Sequence, residues 1–592
     1  MLRRWPVPLS VAVCLAVGPA WAAPAAAGPS SPSGPSGPSG PPTATPAEIR
    51  FRHDLLRPGT ARQAGLISDK IDAMRGLAES YLVPTADHPT RPAYAGAVVL
   101  AAHDGVVVQR FAVGDAVRYA SAGVELPPGQ RLPARVDTLY DLASISKLFT
   151  TIVLLQQAEA GRVRLDAPVA RYVPEFAAGN KAAVTVRHLL THTSGLPAFL
   201  PFHSTYPTPE TRLAAALATP VTTGSTPGGQ YVYSDIGLIA LGVLVERVAG
   251  KNLADAVRDG ITGPLSMRDT GYRPAPELRN RIAATEDQPY AGRGMVWGEV
   301  HDENAWGLGG VAGHAGVFST ADDLAVLCQT LLNGGSYRGR RILSEAMVRR
   351  ALVNYNEGLE ARFPDSDRGL GFELAKHSYM DAMASPVTFG HTGFTGTSVV
   401  IDPLTHSFLI LLSNRVHPDR AWGTNTVARR ALARTFADAH PVRPLLSGRA
   451  WRTDRRDSAT VTLTGPLRRA AGATAIASFL LWYDTEPRYD TVRVAASADG
   501  GTTWTPVPLT LRSGTHSFTS DGELTGYGGR RWWHVTATVP AGTTQLRWSY
   551  RTDVSAQGRG VYVDRVAVVD PRGLLLAGDE RLVADGWTPS DT

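Results

Sequence analysis

The stretch "YDLASISKLF" (residues 140–149) lies between a β-like run and a long apolar run. Its lysine is one of five in a chain that otherwise takes its positive charge from arginine. Leu148, Ile152 and Leu155 keep helical spacing beyond it, so a helix is predicted to open near Ser144. Residues three apart share a helix face, which stacks Ser144 and Lys147 one turn apart. A serine hydroxyl is a weak nucleophile until a base takes its proton. A lysine can do that where burial or a neighbouring cation lowers its pKa. The helix terminus adds free N–H groups and a partial positive charge that favour an oxyanion. The same residues also suit a Ser144 N-cap with Lys147 on a solvated face. This stretch by itself leaves both readings open.

A chain of 592 residues implies two or three domains. Charged residues at 19% and apolar ones at 43% are those of a globular protein. The net charge of +6 is small for this length and its arginines are scattered, so nothing marks a nucleic-acid surface. Arg3 and Arg4, the apolar run 9–17 and Ala20-Trp21-Ala22 predict a signal peptide over 1–22, hence a secreted or envelope-associated protein. Pro6, Pro8, Gly18 and Pro19 argue against a buried helix there. No other segment is apolar for long enough to span a membrane. Cys14 falls inside the signal, which leaves Cys328 alone, in a helical pattern where it reads as a small buried hydrophobe.

Residues 23–46 form a Pro/Ser/Gly-rich spacer. From 47 to 440 helical and strand patterns mix. "GAVVLAAHDGVVVQRFAVG" is a hairpin turning at His103-Asp104-Gly105, and late strands lie in "GTSVVIDPLTHSFLILLSNR". A sheet built from both ends, with helices inserted between, is an α+β arrangement. Beyond a linker in "HPVRPLLSGRAW" (440–451), alternation dominates over 450–592, which reads as an all-β sandwich.

Two further stretches bear on Ser144. "QYVYSDIGLIALGVLVERVAGKN" sets Tyr233-Ser234-Asp235 at the mouth of an apolar helix, where Ser234 or Asp235 could simply be a cap and Gly250 a stop. "FGHTGFTGTSVVIDP" sets His391-Thr392-Gly393 at the start of a strand, where a glycine could simply mark an edge or bulge. In this order the three resemble the serine β-lactamase and penicillin-binding protein superfamily, with its S-x-x-K, Y-x-N and K-T-G. "LDAPVARYVPEF" (165–176), "LLTHTSGLP" (189–197) and "GHTGFTGT" (390–397) match it as well. The resemblance covers roughly 47–440 and is closest to the class C branch. "WGEVHDENAWGLGGVAGHAGVFSTADDLA" and the Tyr-Ser-Asp variant resemble the subgroup of penicillin-binding protein 4B. It implies a β-lactamase/transpeptidase-like domain, with an antiparallel sheet flanked by helices and an all-helical region.

The resemblance implies that Ser144 attacks a carbonyl to form an acyl-enzyme, with Lys147 and Tyr233 sharing the proton transfers. The backbone N–H groups of Ser144 and Phe394 would form the oxyanion hole, and Asp235, His391, Thr392 and Gly393 would contact substrate. No cofactor and no metal enter this chemistry. Asp235 stands where the family has asparagine. A carboxylate there would pair with Lys147, keep it charged and leave Tyr233 as the base. His391 stands where the family has lysine, and a neutral imidazole grips a carboxylate less strongly than an ammonium. Poor penicillin turnover is therefore expected.

His314, in a glycine-rich run, is a further substrate-binding candidate. His192 reads as structural, and His301 with Asp302 lacks metal-ligand spacing. The C-terminal stretches "FLLWYDTEPRYDTVRVAASADGGTTWTPV" and "RTDVSAQGRGVYVDRVAVVD" resemble the accessory sandwich beside immune-inhibitor-A-type peptidases, sometimes calcium-bearing. Glu486, Asp490 and Asp564 are oxygen donors of suitable type there, but their spacing favours ordinary turn and cap carboxylates. Trp482, Trp504, Trp532, Trp533 and Trp548 are expected to pack rather than to bind sugar. The expected activity is hydrolysis of D-alanyl peptides of peptidoglycan origin or of small esters. The competing expectation is a catalytically weak penicillin-binding sensor, held on cell-wall or surface polymer by its sandwich.

Overall fold

The computed structural model describes residues 40–592 except 87, 360–361, 446–447 and 579–580. The expected signal over 1–22 and most of the expected spacer over 23–46 lie outside the described residues. Helix α1 (Ser68–Ser80) precedes a hairpin of β1 (Gly96–His103) and β2 (Val106–Val117). Asp104 (φ 49°) and Gly105 (φ 73°) both take left-handed backbone, the pair a tight two-residue hairpin turn requires. The chain then forms α2 (Ser146–Glu159), α3 (Asp235–Ala249) and α4 (Ala321–Leu332) before returning to strands. These are β3 (Glu373–Leu374), β4 (Phe389–Thr392), β5 (Ser398–Asp402) and β6 (Ser407–Ser413), and α5 (Thr426–Asp438) follows.

The sheet runs in the order Arg57–Pro58, β2, β1, β6, β5, β4, β3. β1 pairs antiparallel with β6 from His103↔Ser407 to Ala97↔Ser413, so the two ends of the region close one sheet. Side chains alternate across a strand, and β1 has a core on each side. Val98, Leu100 and Ala102 enter the core shared with α2, α3 and α4. Ala97, Val99 and Ala101 meet Ile71 and Met74 of α1 and Leu432 and Phe436 of α5. Burial on both faces explains why "GAVVLAAH" is apolar without a break. Cys328 is buried in α4, as expected of a small hydrophobe.

The C-terminal region is all β, in two antiparallel layers. One is built around Ala475–Asp484, Trp533–Val539 and Gly560–Asp570, and the other around Thr491–Ser497, Gln545–Arg551 and Thr460–Pro466. Phe479, Trp533, Trp548 and Tyr550 fill the space between them. Trp482 packs with Tyr562, Trp532 donates to the Arg443 carbonyl, and Trp504 lies under the Arg547 guanidinium. Each of these five indoles is taken up by packing or by a local partner.

The two parts meet through Arg530 of the sandwich. Its guanidinium bonds Asp402 at the end of β5 and Asp484, 2.5 and 3.0 Å away, and the carbonyls of Met383 and Ala384. Both carboxylates are 2% exposed. Removing one partner of such a buried group strands the other charges. Arg530→Ala is therefore expected to destabilise the protein by about 3 kcal/mol or more, read from urea unfolding. A loss under about 1 kcal/mol would show that the clasp behaves as a surface ion pair.

Candidate active site

The site depends first on how two backbone segments are tied together. Thr395 Oγ1 donates to the Asp141 carbonyl (2.7 Å) and Thr397 Oγ1 to the Leu142 carbonyl (3.0 Å). A Cβ on Gly393 would come within 2.1 Å of Thr397 Oγ1 and 2.3 Å of the Leu142 carbonyl, so this approach requires glycine. The Asp141 carboxylate accepts the N–H of Ala143 (2.8 Å) and of His301 (2.6 Å), holding Ala143 at φ 47°. Ser144 follows inside a 3₁₀ turn, Ala143–Ile145, which runs on into α2. Ser144 is thus not the helix cap, and its hydroxyl is left for other work. Among the described residues, neither the Ser144 nor the Phe394 N–H has an acceptor within the protein. Both residues line one cleft of about 500 Å³.

Lys147 is 1% exposed. Its Nζ lies 2.8 Å from Ser144 Oγ, 2.8 Å from Asp235 Oδ1 and 3.2 Å from the His314 carbonyl. The Tyr233 ring centroid is 4.9 Å away. Asp235 and Tyr233 flank Ser234, whose hydroxyl accepts the Gly237 N–H as the N-cap of α3 and donates to the Pro197 carbonyl (2.7 Å). Gly250 ends that helix at φ 64°. Cap and stop are therefore present, and they aim the residues on either side of the cap at Lys147. His192 Nδ1 accepts the Ser234 N–H (3.0 Å) and its ring lies 4.5 Å from that of Tyr233, a structural role.

Burial pulls the Lys147 pKa down, but Asp235 and then Tyr233 outweigh it and the net shift is upward, so the amine rests as ammonium. Burial raises the Tyr233 phenol, against the pull of Lys147. Burial pushes His391 down to about 4, leaving it neutral. Its Nδ1 sits 2.8 Å from the Thr392 carbonyl, which can only accept. Nδ1 therefore carries the proton and Nε2 is a bare acceptor.

His391, Thr392 and Gly393 line the cleft with Ser144, Tyr233 and Phe394. His314 does not. Its ring is 1% exposed and paired with Asp302 (2.8 Å), and only its carbonyl reaches the site. This corrects the expectation of a substrate-binding imidazole: the glycines admit backbone, not side chain. A Cβ on Gly313 would strike the Leu238 carbonyl at 2.0 Å. His301 pairs instead with Glu286, so His301 and Asp302 serve separate partners. In the sandwich, among the described residues, Asp553 rather than Asp564 joins Glu486 and Asp490, with ligand oxygens within 4.8 Å of one another. Sequence reasoning also missed Arg368, Glu373, Arg415 and Arg429, which line the cleft from segments without a motif.

The Beta-lactamase family profile matches residues 85–434. A protein of Escherichia coli O157:H7 named "Putative D-alanyl-D-alanine carboxypeptidase" is 34% identical over 360 residues, which are 55% of this chain and 79% of the relative. One of the same name from Salmonella schwarzengrund is 30% identical over 400 residues, 62% and 87% of the two chains. Among solved structures, a penicillin-binding protein homolog from Caulobacter crescentus is similar with a TM-score of 0.46 and 22% identity, over 63% of this chain and 99% of the other. Covering well over half of its length, the profile match shows that the chain belongs to the beta-lactamase family.

Proposed function

We propose that this protein is an exported serine hydrolase that works through an acyl-enzyme on Ser144. The observation that carries the reading is the 2.8 Å contact between Ser144 Oγ and a buried Lys147 ammonium, set between Asp235 and Tyr233. Because Asp235 holds Lys147 charged, Tyr233 is the group that takes the serine proton in this reading. Lys147 orients the hydroxyl and stabilises the Tyr233 phenolate before the transfer, which turns that phenolate into a phenol. The Ser144 and Phe394 N–H groups stabilise the tetrahedral oxyanion, each such donor contributing about 3 kcal/mol. Deacylation reuses Tyr233 and Lys147 to activate water.

The substrate class is D-alanyl peptides of peptidoglycan origin or small esters. Two relatives with carboxypeptidase names support the first, and they support an envelope location together with the signal-like N-terminus. The neutral His391 supports turnover of substrates that need no cation at that position. The sandwich is proposed to hold the enzyme near wall or surface polymer. No described helix is long and apolar enough to cross a membrane.

A fluorophosphonate probe is expected to label the protein, and Ser144→Ala is expected to abolish labelling and cut ester or D-Ala-D-Ala turnover at least a thousandfold. Undiminished turnover by that variant would remove the serine mechanism. A fluorescent-penicillin adduct on Ser144 that forms and never turns over, with no ester or D-Ala-D-Ala turnover, would favour the sensor reading. Ampicillin is expected to be hydrolysed poorly, and His391→Lys to raise its acylation rate about tenfold by restoring a cation for the carboxylate. Efficient ampicillin hydrolysis by the parent protein would contradict the role given to His391.

A further inference from the structure

Tyr233 has a second cation beside it. The Arg368 guanidinium lies 5.2 Å from the Tyr233 ring centroid, against 4.9 Å for Lys147 Nζ. Arg368 is 1% exposed. Its Nη2 bonds Glu373 Oε1 (2.8 Å), and Nε and Nη2 take up the Tyr231 hydroxyl at 3.2 and 3.0 Å. Nη1 is buried without a partner in the protein, while Nε and Nη2 are committed to Tyr231 and Glu373. The charge of the group reaches Tyr233 through the field, and burial makes that field strong.

The groups facing Tyr233 can be set out by element. α2 supplies Lys147 and α3 supplies Asp235, which pair with each other. Arg368 and Glu373, before and within β3, form the second pair. β4 supplies His391, 6.1 Å between ring centroids, and the segment after residues 186–190 supplies His192. Both imidazoles are held neutral by burial. Lys376 lies farther off, over the Tyr231 ring. Lys147 and Arg368 are therefore the cations available to a phenolate at Tyr233.

We propose that Arg368 is a positioning residue for the Ser144 reaction: its buried charge, 5.2 Å from the Tyr233 ring centroid, stabilises the Tyr233 phenolate. Glu373 fixes the guanidinium and tempers it. The inference rests on the reading of Tyr233 as the proton acceptor. The proton leaves Ser144 Oγ for the Tyr233 phenolate, giving the phenol, as the Oγ–carbonyl bond forms and the carbonyl electron pair moves to the oxyanion; Arg368 exchanges no proton.

The test is the pH profile of kcat/KM for 4-nitrophenyl acetate, whose acid limb reports the base of the free enzyme. Losing a cation makes a phenolate harder to form, so Arg368→Met should move that limb up by about one pH unit or more. Arg368→Lys should keep it within about half a unit of the parent. Glu373→Gln, which leaves the guanidinium unopposed, should move it down. This opposite shift decides the matter even if Arg368→Met does not fold. Equal slowing by Arg368→Met and Arg368→Lys with an unmoved limb would overturn the proposal in favour of packing. So would a loss confined to KM for a carboxylate-bearing ester such as 4-nitrophenyl succinate, which marks a substrate anchor. Failure of the serine reading is distinct, because Ser144→Ala would then retain hydrolysis whatever these profiles show.

Discussion

An ammonium at 1% exposure is costly to bury, by several kcal/mol if left alone. Lys147 is made tolerable by the Asp235 carboxylate, the His314 carbonyl, the Ser144 hydroxyl and the Tyr233 ring. Those groups come from three separate stretches of chain, and all of them reach the same nitrogen. Asp235 and Tyr233 arrive through the capped start of α3. The His314 carbonyl arrives because Gly313 presses onto the Leu238 carbonyl. Ser144 arrives on a turn pinned by Asp141.

The same logic extends to the oxyanion side. The segment after β4 is tied to Asp141 and Leu142 by two threonine hydroxyls, and Phe394 lies in that segment. The Phe394 ring is gripped by the Arg415 and Arg420 guanidiniums and stacks on His301. Arg420 is in turn held by Glu286 and Glu303. A partly buried polar network thus braces the Phe394 side chain beside the cleft. Among the described residues, the sandwich contributes none of those that line this cleft. It meets the catalytic region around Arg530, at the far end of β5 from Ser398.

The parts legible in sequence were those where one residue type has few alternatives. Serine three before a rare lysine, tyrosine before a helix cap, and glycine before an apolar strand each fix a backbone geometry. Read together they pointed to the fold, and the structure brings Ser144, Lys147 and Tyr233 together in one candidate site. The hairpin at Asp104-Gly105 was legible for the same reason. His314 misled because glycines announce close approach without saying which atoms approach. Asp553 was missed, and Asp564 chosen, because pairing across strands is not written in local spacing. Arg368 was invisible because it matters only through β3, a two-residue strand that local pattern does not reveal. It sits in "DRGLGFEL" like any solvated arginine.

The claim beneath the mechanism is that Lys147 rests as a cation held by Asp235. With only five lysines in the chain, ¹³C NMR of protein labelled at lysine Cε can follow each amine through a pH titration. Lys181 and Lys376, both pushed down to about 8 by burial, should lose their protons first. In the parent protein the Lys147 signal should keep its ammonium shift well after theirs have moved, because Asp235 and Tyr233 raise its pKa. In Asp235→Asn, where burial acts with less opposition, it should titrate at clearly lower pH. A Lys147 signal already in the neutral amine form at pH 7 in the parent would contradict the account and return the role of base to the lysine.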